Sequence, residues 1–341
     1  MNKTILIIGS LNMDLSIPVK HMPQVGETIL GKGLTYNPGG KGANQAYAAG
    51  RLGGEVRMLG CVGADQFGEV QKSGLAAAGV DVSGLRVSGT LPTGTAVIYV
   101  DEAGDNSIVV VAGANDECDI PYLEAHDALF QWCDYLLMQM EIPQDAILWA
   151  AKRAKELGKT VILNPAPAPD SISDELLSYI DYLTPNETEL LKLADGEEGG
   201  EKGVEEGRKE GGEKGGEKGQ GDAAEKTSCS AMAGPTTLDT IKAGAAKLLK
   251  RGAGCLVVTM GEAGALLARA GQFEVYPARA VRAVDTTAAG DCFNGAFAVA
   301  LAEGKSEGEA VLFANAASSV AVTRKGAQNS IPSREELEDI L

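Results

Sequence analysis

The stretch YLLMQMEIPQDAILWAAKRAKELGKTVILN, residues 135–164, decides the fold class. Residues 135–140 are a short apolar run that ends at a carboxylate, Glu141. Residues 144–157 then place apolar side chains at helical spacing, and residues 160–164 return to an apolar run. Strand, helix and strand follow one another with short connections. Helix 121–131 precedes this unit, and helix 173–180 and strand Tyr182–Thr184 follow it. The alternation resumes with helix 238–250, strand Cys255–Thr259, a hairpin across 265–277 and two apolar helices over about 289–322. Repeated βα units of this length imply a parallel sheet with helices on both faces.

Toward the N-terminus the pattern changes. Thr4–Gly9 reads as a strand and Ser10–Asp14 as a polar turn. Residues 15–38 mix strand signals with Pro18, Pro23, Gly26, Gly31 and Gly33, which predicts a small sheet with turns. Ala43–Leu52 is an Ala-rich helix after a glycine turn, Val56–Val62 a buried strand and Gln66–Ala78 a helix. Thr93–Asp101 and Ser107–Ala112 alternate on either side of Glu102–Asn106, a hairpin with turn chemistry in its loop. The expectation is one α/β domain over 1–341: a central, mostly parallel sheet flanked by helices, with a small β-sheet lid from about 11–36 and 93–113.

Composition narrows the function. Hydrophobic residues make up 44% of the chain, ample for a core, while 30 basic and 47 acidic side chains give a net charge of −17. Such a surface repels nucleic acid and anionic lipid, so neither is expected as a partner. A phosphate site must be local, made from main-chain N–H groups and a few lysines. The six cysteines are scattered without a CxxC pair, as in a reduced cytoplasmic protein. The apolar run Ile5–Ile8 is too short for a signal peptide core. Two histidines without HExxH argue against a zinc hydrolase, and no GxSxG elbow is present. Gly196–Gly221 holds eleven glycines among charged residues. It cannot bury enough apolar surface to offset its ordering entropy, so 196–235 is expected to be a disordered insertion.

Five clusters carry candidate chemistry. Asp285-Thr286-Thr287-Ala288-Ala289-Gly290-Asp291 runs into an apolar helix. Small residues at a helix start leave main-chain N–H groups uncovered in the positive end of the helix dipole, an anion hole for a phosphoryl group. Asp291 beside it is placed to take a proton from an attacking hydroxyl. Gly39-Gly40-Lys41-Gly42-Ala43-Asn44 lets a hydroxylated ligand approach the main chain near an ammonium and an amide. Asn12-Met13-Asp14 follows the first strand, at the carboxyl end of the sheet where ligands of open α/β folds bind. Asn186 and Glu189 share a helix face suited to Mg2+, and Thr259-Met260-Gly261-Glu262-Ala263-Gly264 ends a strand in a loop that could seat a nucleotide. Plainer readings fit the same letters: Asp291 as an N-cap, the glycines as turns, Asn186 as the start of a capping box.

Taken together, these clusters resemble the ribokinase-like carbohydrate kinases in order and spacing. The segments involved are Asn12–Asp14, GGKGANQA at 39–46, Met138–Glu141, Asn164–Pro167, Thr184–Glu187, DTTAAGDCFNGA at 285–296 and Ala321–Gln328. The resemblance covers the chain except about 196–235. It implies ATP-dependent phosphorylation of a sugar's primary hydroxyl, that of D-ribose first. Deoxyribose, fructose or adenosine are the alternative acceptors, and a non-catalytic sugar-binding protein is a further alternative. It implies sugar contacts from Asn12, Met13, Asp14, Gly39, Gly40, Lys41, Gly42, Asn44 and Glu141. Asp291 is then the base and the Ala288, Ala289 and Gly290 amides the anion hole. The nucleotide is expected along Asn186, Thr259, Met260, Gly261, Glu262, Ala263, Gly264, Gly290 and Asn315. Mg2+ falls to Asn186 and Glu189, and K+ to Asp285, Ser330 and the main chain of Thr287, Ala321, Arg324 and Gly326. A homodimer through the lid strands is also implied.

Overall fold

The computed structural model of the chain describes residues 3–196 and 236–340. The insertion expected at 196–235 lies outside them, apart from Gly196.

Nine strands form the main sheet. From one edge they run Gln272–Tyr276, Ala265–Arg269, Leu256–Thr259, Tyr182–Leu183, Thr160–Leu163, Tyr135–Met138, Thr4–Ile8, Glu55–Leu59 and Val80–Asp81. All neighbours are parallel except at the first edge, where Ala265–Arg269 runs antiparallel to both Gln272–Tyr276 and Leu256–Thr259. The first strand shows why it reads as an unbroken apolar run. Ile5 and Ile7 enter one hydrophobic layer with Leu137, Ile162 and Val257, under helices Lys41–Arg51, Ala289–Ala302 and Glu307–Ala321. Leu6 and Ile8 enter the opposite layer with Leu136, Met138 and Val161, under helices Gln144–Glu156 and Leu238–Lys250. Both faces are covered, so alternation gives way to continuous burial. The carboxyl ends of the central strands come out together along one edge of the sheet.

From that edge the chain passes through Gly9–Leu11 into a second sheet. Its order is Thr35–Gly39, Asn12–Pro18, Gly94–Val100 and Asn106–Val111, with the central pair parallel and the outer pairs antiparallel. Asn115 fastens the junction: its Nδ2 donates to Asn12 Oδ1 at 2.8 Å, and its Oδ1 accepts from Leu11 N at 2.9 Å.

Two segments differ from expectation. The run at 56–62 divides into Glu55–Leu59 and Cys61–Gly63. At Gly60 a Cβ would lie 2.6 Å from the Gly9 carbonyl oxygen, so the chain bends at a residue without one. The helix expected at 121–131 breaks at His126 into Ile120–Ala125 and Asp127–Trp132. There His126 Nδ1 takes the Tyr122 carbonyl at 2.8 Å, and the His126 N–H turns to Leu123 O. No helix among the described residues is long and apolar enough to cross a membrane.

The helices Lys41–Arg51 and Ala289–Ala302 cross at Gly295. A Cβ there would lie 2.7 Å from both Gln45 O and Ala48 Cβ. Alanines and one glycine let the two backbones approach, and this contact joins the GGKGAN segment to Asp291. We expect Gly295→Ala to lower stability in urea unfolding by about 1–3 kcal/mol, since the clash is with backbone that cannot rotate away. An unchanged midpoint would show that the crossing has slack.

Candidate active site

The helix Ala289–Ala302 starts without a capping side chain. Its N-cap, Ala288, has φ 57° and ψ 15°, the only non-glycine at positive φ among the described residues. A left-handed alanine costs on the order of 1–3 kcal/mol and persists only where its surroundings impose it. Here Asp285 does so: its Oδ1 accepts from Thr287 N at 2.9 Å and Thr287 Oγ1 at 2.6 Å, and its Oδ2 accepts from Gly326 N at 2.9 Å. The first-turn N–H groups of Gly290 and Asp291 have no acceptor within the helix. Of the three amides expected in the anion hole, that of Ala289 donates to Thr286 O at 3.2 Å.

Asp291 is buried at this helix start. Its Oδ2 accepts from Asn44 Nδ2 and its Oδ1 from Gln45 Nε2, both at 3.0 Å. Both donors come from the helix Lys41–Arg51, which also begins without a capping side chain, at Gly40 with φ 86°. Glu141 takes that place: its Oε2 accepts from Lys41 N at 3.1 Å and from Ser10 Oγ at 2.6 Å. The glycines here serve chain packing. A Cβ on Gly40 would meet Asn12 N at 2.7 Å, one on Gly42 the Gly9 carbonyl carbon at 2.5 Å, and one on Gly39 the Asp14 carboxylate at 2.2 Å. Asn12 and Met13 are buried, and Gln71 Nε2 donates to both Asn12 O and Gly39 O.

A cleft of about 980 Å³ opens on the other side of Gly290. Asn186, Thr259, Gly261, Glu262, Ala263, Gly264 and Asn315 line it as expected. Met260 does not; it packs in the apolar layer, and its N–H donates to Gly264 O at 2.8 Å. Ala278–Val281, Phe293, Ser318 and Ser319 also line the cleft. Apart from Phe293, which lies in DTTAAGDCFNGA, they carry no motif, and only the fold brings them there. Asn186 and Glu189 close a capping box, with Asn186 N donating to Glu189 Oε2 at 2.9 Å and Glu189 N to Asn186 Oδ1 at 2.8 Å. The plainer reading of that pair is therefore present in full. Around Asp285, Gly326 and Thr287 touch its carboxylate, the Arg324 side chain pairs with Glu336, the Ala321 carbonyl accepts from Arg324 N, and buried Ser330 donates to Ala327 O at 2.7 Å.

Residues 2–218 and 224–334 match the pfkB family carbohydrate kinase family. The chain belongs to that family. Among its pfkB relatives, ribokinase of Haemophilus influenzae is 38% identical over 100% of this chain and 99% of its own length. Ribokinase of Thermotoga maritima superposes with a TM-score of 0.80 at 36% identity, covering 99% of this chain and 98% of that one. A structure of Arabidopsis thaliana ribokinase complexed with ribose and ATP gives 0.81 at 32% identity, with the same coverage.

In this pfkB kinase one buried ammonium faces several carboxylates. Burial pushes Lys41 down, but Asp291, Glu141, Glu189 and Asp14 together hold it above its usual value. Burial raises Asp291, against Lys41 and the hydrogen bonds from Gln45 and Asn44. Burial also raises Glu189. Asp14 is pushed up from 3.8 to about 7, by burial first and then by Glu141 and Asp291. The folded protein therefore binds a proton at Asp14 more tightly than the unfolded chain does. Its contribution to stability is whole below about pH 4 and is lost as pH rises toward about 7. Asp14→Asn should raise the melting temperature of the unliganded protein, and by more at pH 8 than at pH 5. An equal gain at both pH values would place the charge strain elsewhere.

Proposed function

We propose that the chain phosphorylates D-ribose at its primary 5-hydroxyl, consuming ATP and giving ribose 5-phosphate and ADP. The observation that carries this reading is the position of Asp291. It is a buried carboxylate in the first turn of an uncapped helix, next to Gly290, which lines the large cleft, and bonded to Asn44 of the GGKGAN segment. Asp14, Lys41, Asn44 and Glu141 are the polar groups for the sugar, and the loop 261–264 with Thr259 and Asn315 forms the nucleotide side. Full-length relatives named ribokinase, one of them complexed with ribose and ATP, support the choice of acceptor.

The 5-hydroxyl gives its proton to Asp291 as its oxygen attacks the γ-phosphorus in line. The bond from that phosphorus to the β–γ bridging oxygen breaks, and ADP leaves. A carboxylate raised by burial is a stronger base than an ordinary one. The Gly290 and Ala288 amides meet the charge that builds on the transferring group, and the strained turn holds them there before it arrives. The small sheet closes over the sugar and excludes water.

Oxygen donors dominate the two expected ion positions, which suits hard cations. Mg2+ would be held on the ATP phosphates with help from Glu189 and Asn186; among the described residues no three His, Cys, Asp or Glu side chains are arranged to hold a metal ion on their own. K+ would be held by Asp285, main-chain oxygens of Thr287, Ala321, Arg324 and Gly326, and the lone pairs of Ser330. It would brace the Ala288 turn from behind. The exposed edge strand Asn106–Val111, with Ile108, Val109, Val110 and Val111 all open to solvent, is the pairing surface we assign to a homodimer. The five cysteines among the described residues are free and buried, which supports a cytoplasmic setting.

ADP release measured over a panel of ribose, deoxyribose, fructose and adenosine tests the acceptor. Ribose should give the highest kcat/KM, and a strong preference for adenosine would overturn the assignment. Asp291→Asn should keep sugar and nucleotide binding by calorimetry and lose kcat by about 10²–10⁴-fold, the range for general-base loss. Near-normal turnover in that variant would remove Asp291 from the reaction.

A further inference from the structure

Beneath the reacting carboxylate lies a chain of side-chain amides with no contact to the cleft. Gln139 Nε2 donates to Gln45 Oε1 at 2.7 Å, and Gln45 Nε2 donates to Asp291 Oδ1 at 3.0 Å and to Asn164 Oδ1 at 3.1 Å. Asn164 Nδ2 in turn donates to the Thr184 carbonyl at 2.8 Å. The direction of this chain is fixed by chemistry. A main-chain carbonyl can only accept, so Asn164 turns its NH2 to Thr184 and its oxygen to Gln45. Gln45 must answer with its own NH2, and the same NH2 then faces Asp291. Gln139 completes the arrangement by donating to the Gln45 oxygen, while its own Oε1 stays buried with no partner among the described residues. An unpaired buried oxygen weakens a fold, and such an exception calls for a reason.

Resting on the kinase reading above, we infer that Gln45 is the positioning residue for Asp291, holding Oδ1 so that the proton-accepting lone pair faces the sugar hydroxyl. Asn44 bonds the other oxygen, Oδ2, but Asn44 is 6% exposed, accepts from Gln328 and is itself assigned to the sugar. Gln45 is fully buried, with all its donors and its acceptor committed to protein. A sugar can therefore engage Asn44 without disturbing the bond to Oδ1. A donor on one oxygen also favours the ionised form of the carboxylate, against the burial that opposes it. The charged and titratable groups around Asp291 are Lys41 from its own helix start, Glu141 beyond strand Tyr135–Met138, Asp14 from the small sheet, Glu189 from helix Glu187–Asp195, and Cys292 beside it. Only Lys41 among these favours the ionised form. Gln45 and Asn44 supply the rest.

The test uses the full chain with Gln45→Met, which keeps length and removes the donor. We expect kcat with ribose to fall about 10–100-fold, the KM values for ribose and ATP to stay within about threefold, and the acid limb of kcat to move to higher pH. Gln139→Met, which frees the Gln45 amide to turn, should show the same pattern at smaller size and keeps the question open if the first variant folds poorly. A rise in KM with kcat intact, or a fall in kcat with an unmoved acid limb, would make Gln45 a packing residue only. Infrared difference spectra of the unliganded protein, referenced to Asp291→Asn, read the Asp291 carboxyl directly as pH changes. Its titration should move up in Gln45→Met whatever the acceptor is, and an unmoved titration overturns the inference. If the parent phosphorylates no sugar while that titration moves, the kinase reading fails, and what stands is that Gln45 holds the Asp291 carboxylate in its ionised form.

Discussion

Asp14, Glu141, Glu189 and Asp291 converge on Lys41, and every other feature of the site is arranged around that imbalance of charge. Burial opposes the ionisation of Asp14, Glu189 and Asp291, and the neighbouring negative charges oppose it further. Two remedies are visible. Lys41 supplies a point charge, and amide or hydroxyl donors from Asn44, Gln45 and Ser10 supply directed dipoles. The residual strain shows in Asp14, which sits near neutrality on the pH scale. A cleft so charged has little affinity for an anion by itself, so in the proposed reaction the phosphoryl group would need main-chain N–H groups to meet it.

That requirement explains the odd start of helix Ala289–Ala302. A serine or aspartate at its N-cap would satisfy the first-turn amides and close the hole. Ala288 leaves them open, and its left-handed backbone is held by Asp285 through Thr287 and Gly326. Strain at one residue is thus balanced by a carboxylate three positions earlier. The same carboxylate lies among the oxygens we propose for K+, so an ion held there would bear directly on the Ala288 turn.

Much of this was legible in the sequence. Apolar runs alternating with helical periods over 135–184 give the parallel sheet, because burial on both faces leaves few polar residues to obscure them. GGKGAN and DTTAAGD mark their helix starts, since small residues at such places have few other uses. The glycine motif was legible in place but not in cause: Gly40 and Gly42 face neighbouring backbone, a long-range contact that no local pattern encodes. Gln45 and Gln139 escaped for the opposite reason. Each is a polar residue inside a buried run, a signal present in NQAYAA and MQME but without meaning until helix and strand are set side by side. The break at His126 turns on one side-chain bond to the Tyr122 carbonyl, which periodicity does not see.

Strand Asn12–Pro18 carries Asp14 and is also an interior member of the small sheet, joined by Gly9–Leu11 to the first strand of the large one. On the proposed reading, recognition of the acceptor and motion of the cover are therefore written in one piece of backbone. Selection for a new acceptor cannot reshape this segment without also altering how tightly the cover seats. Drift in specificity and futile loss of nucleotide to water are thereby yoked in the history of such a chain.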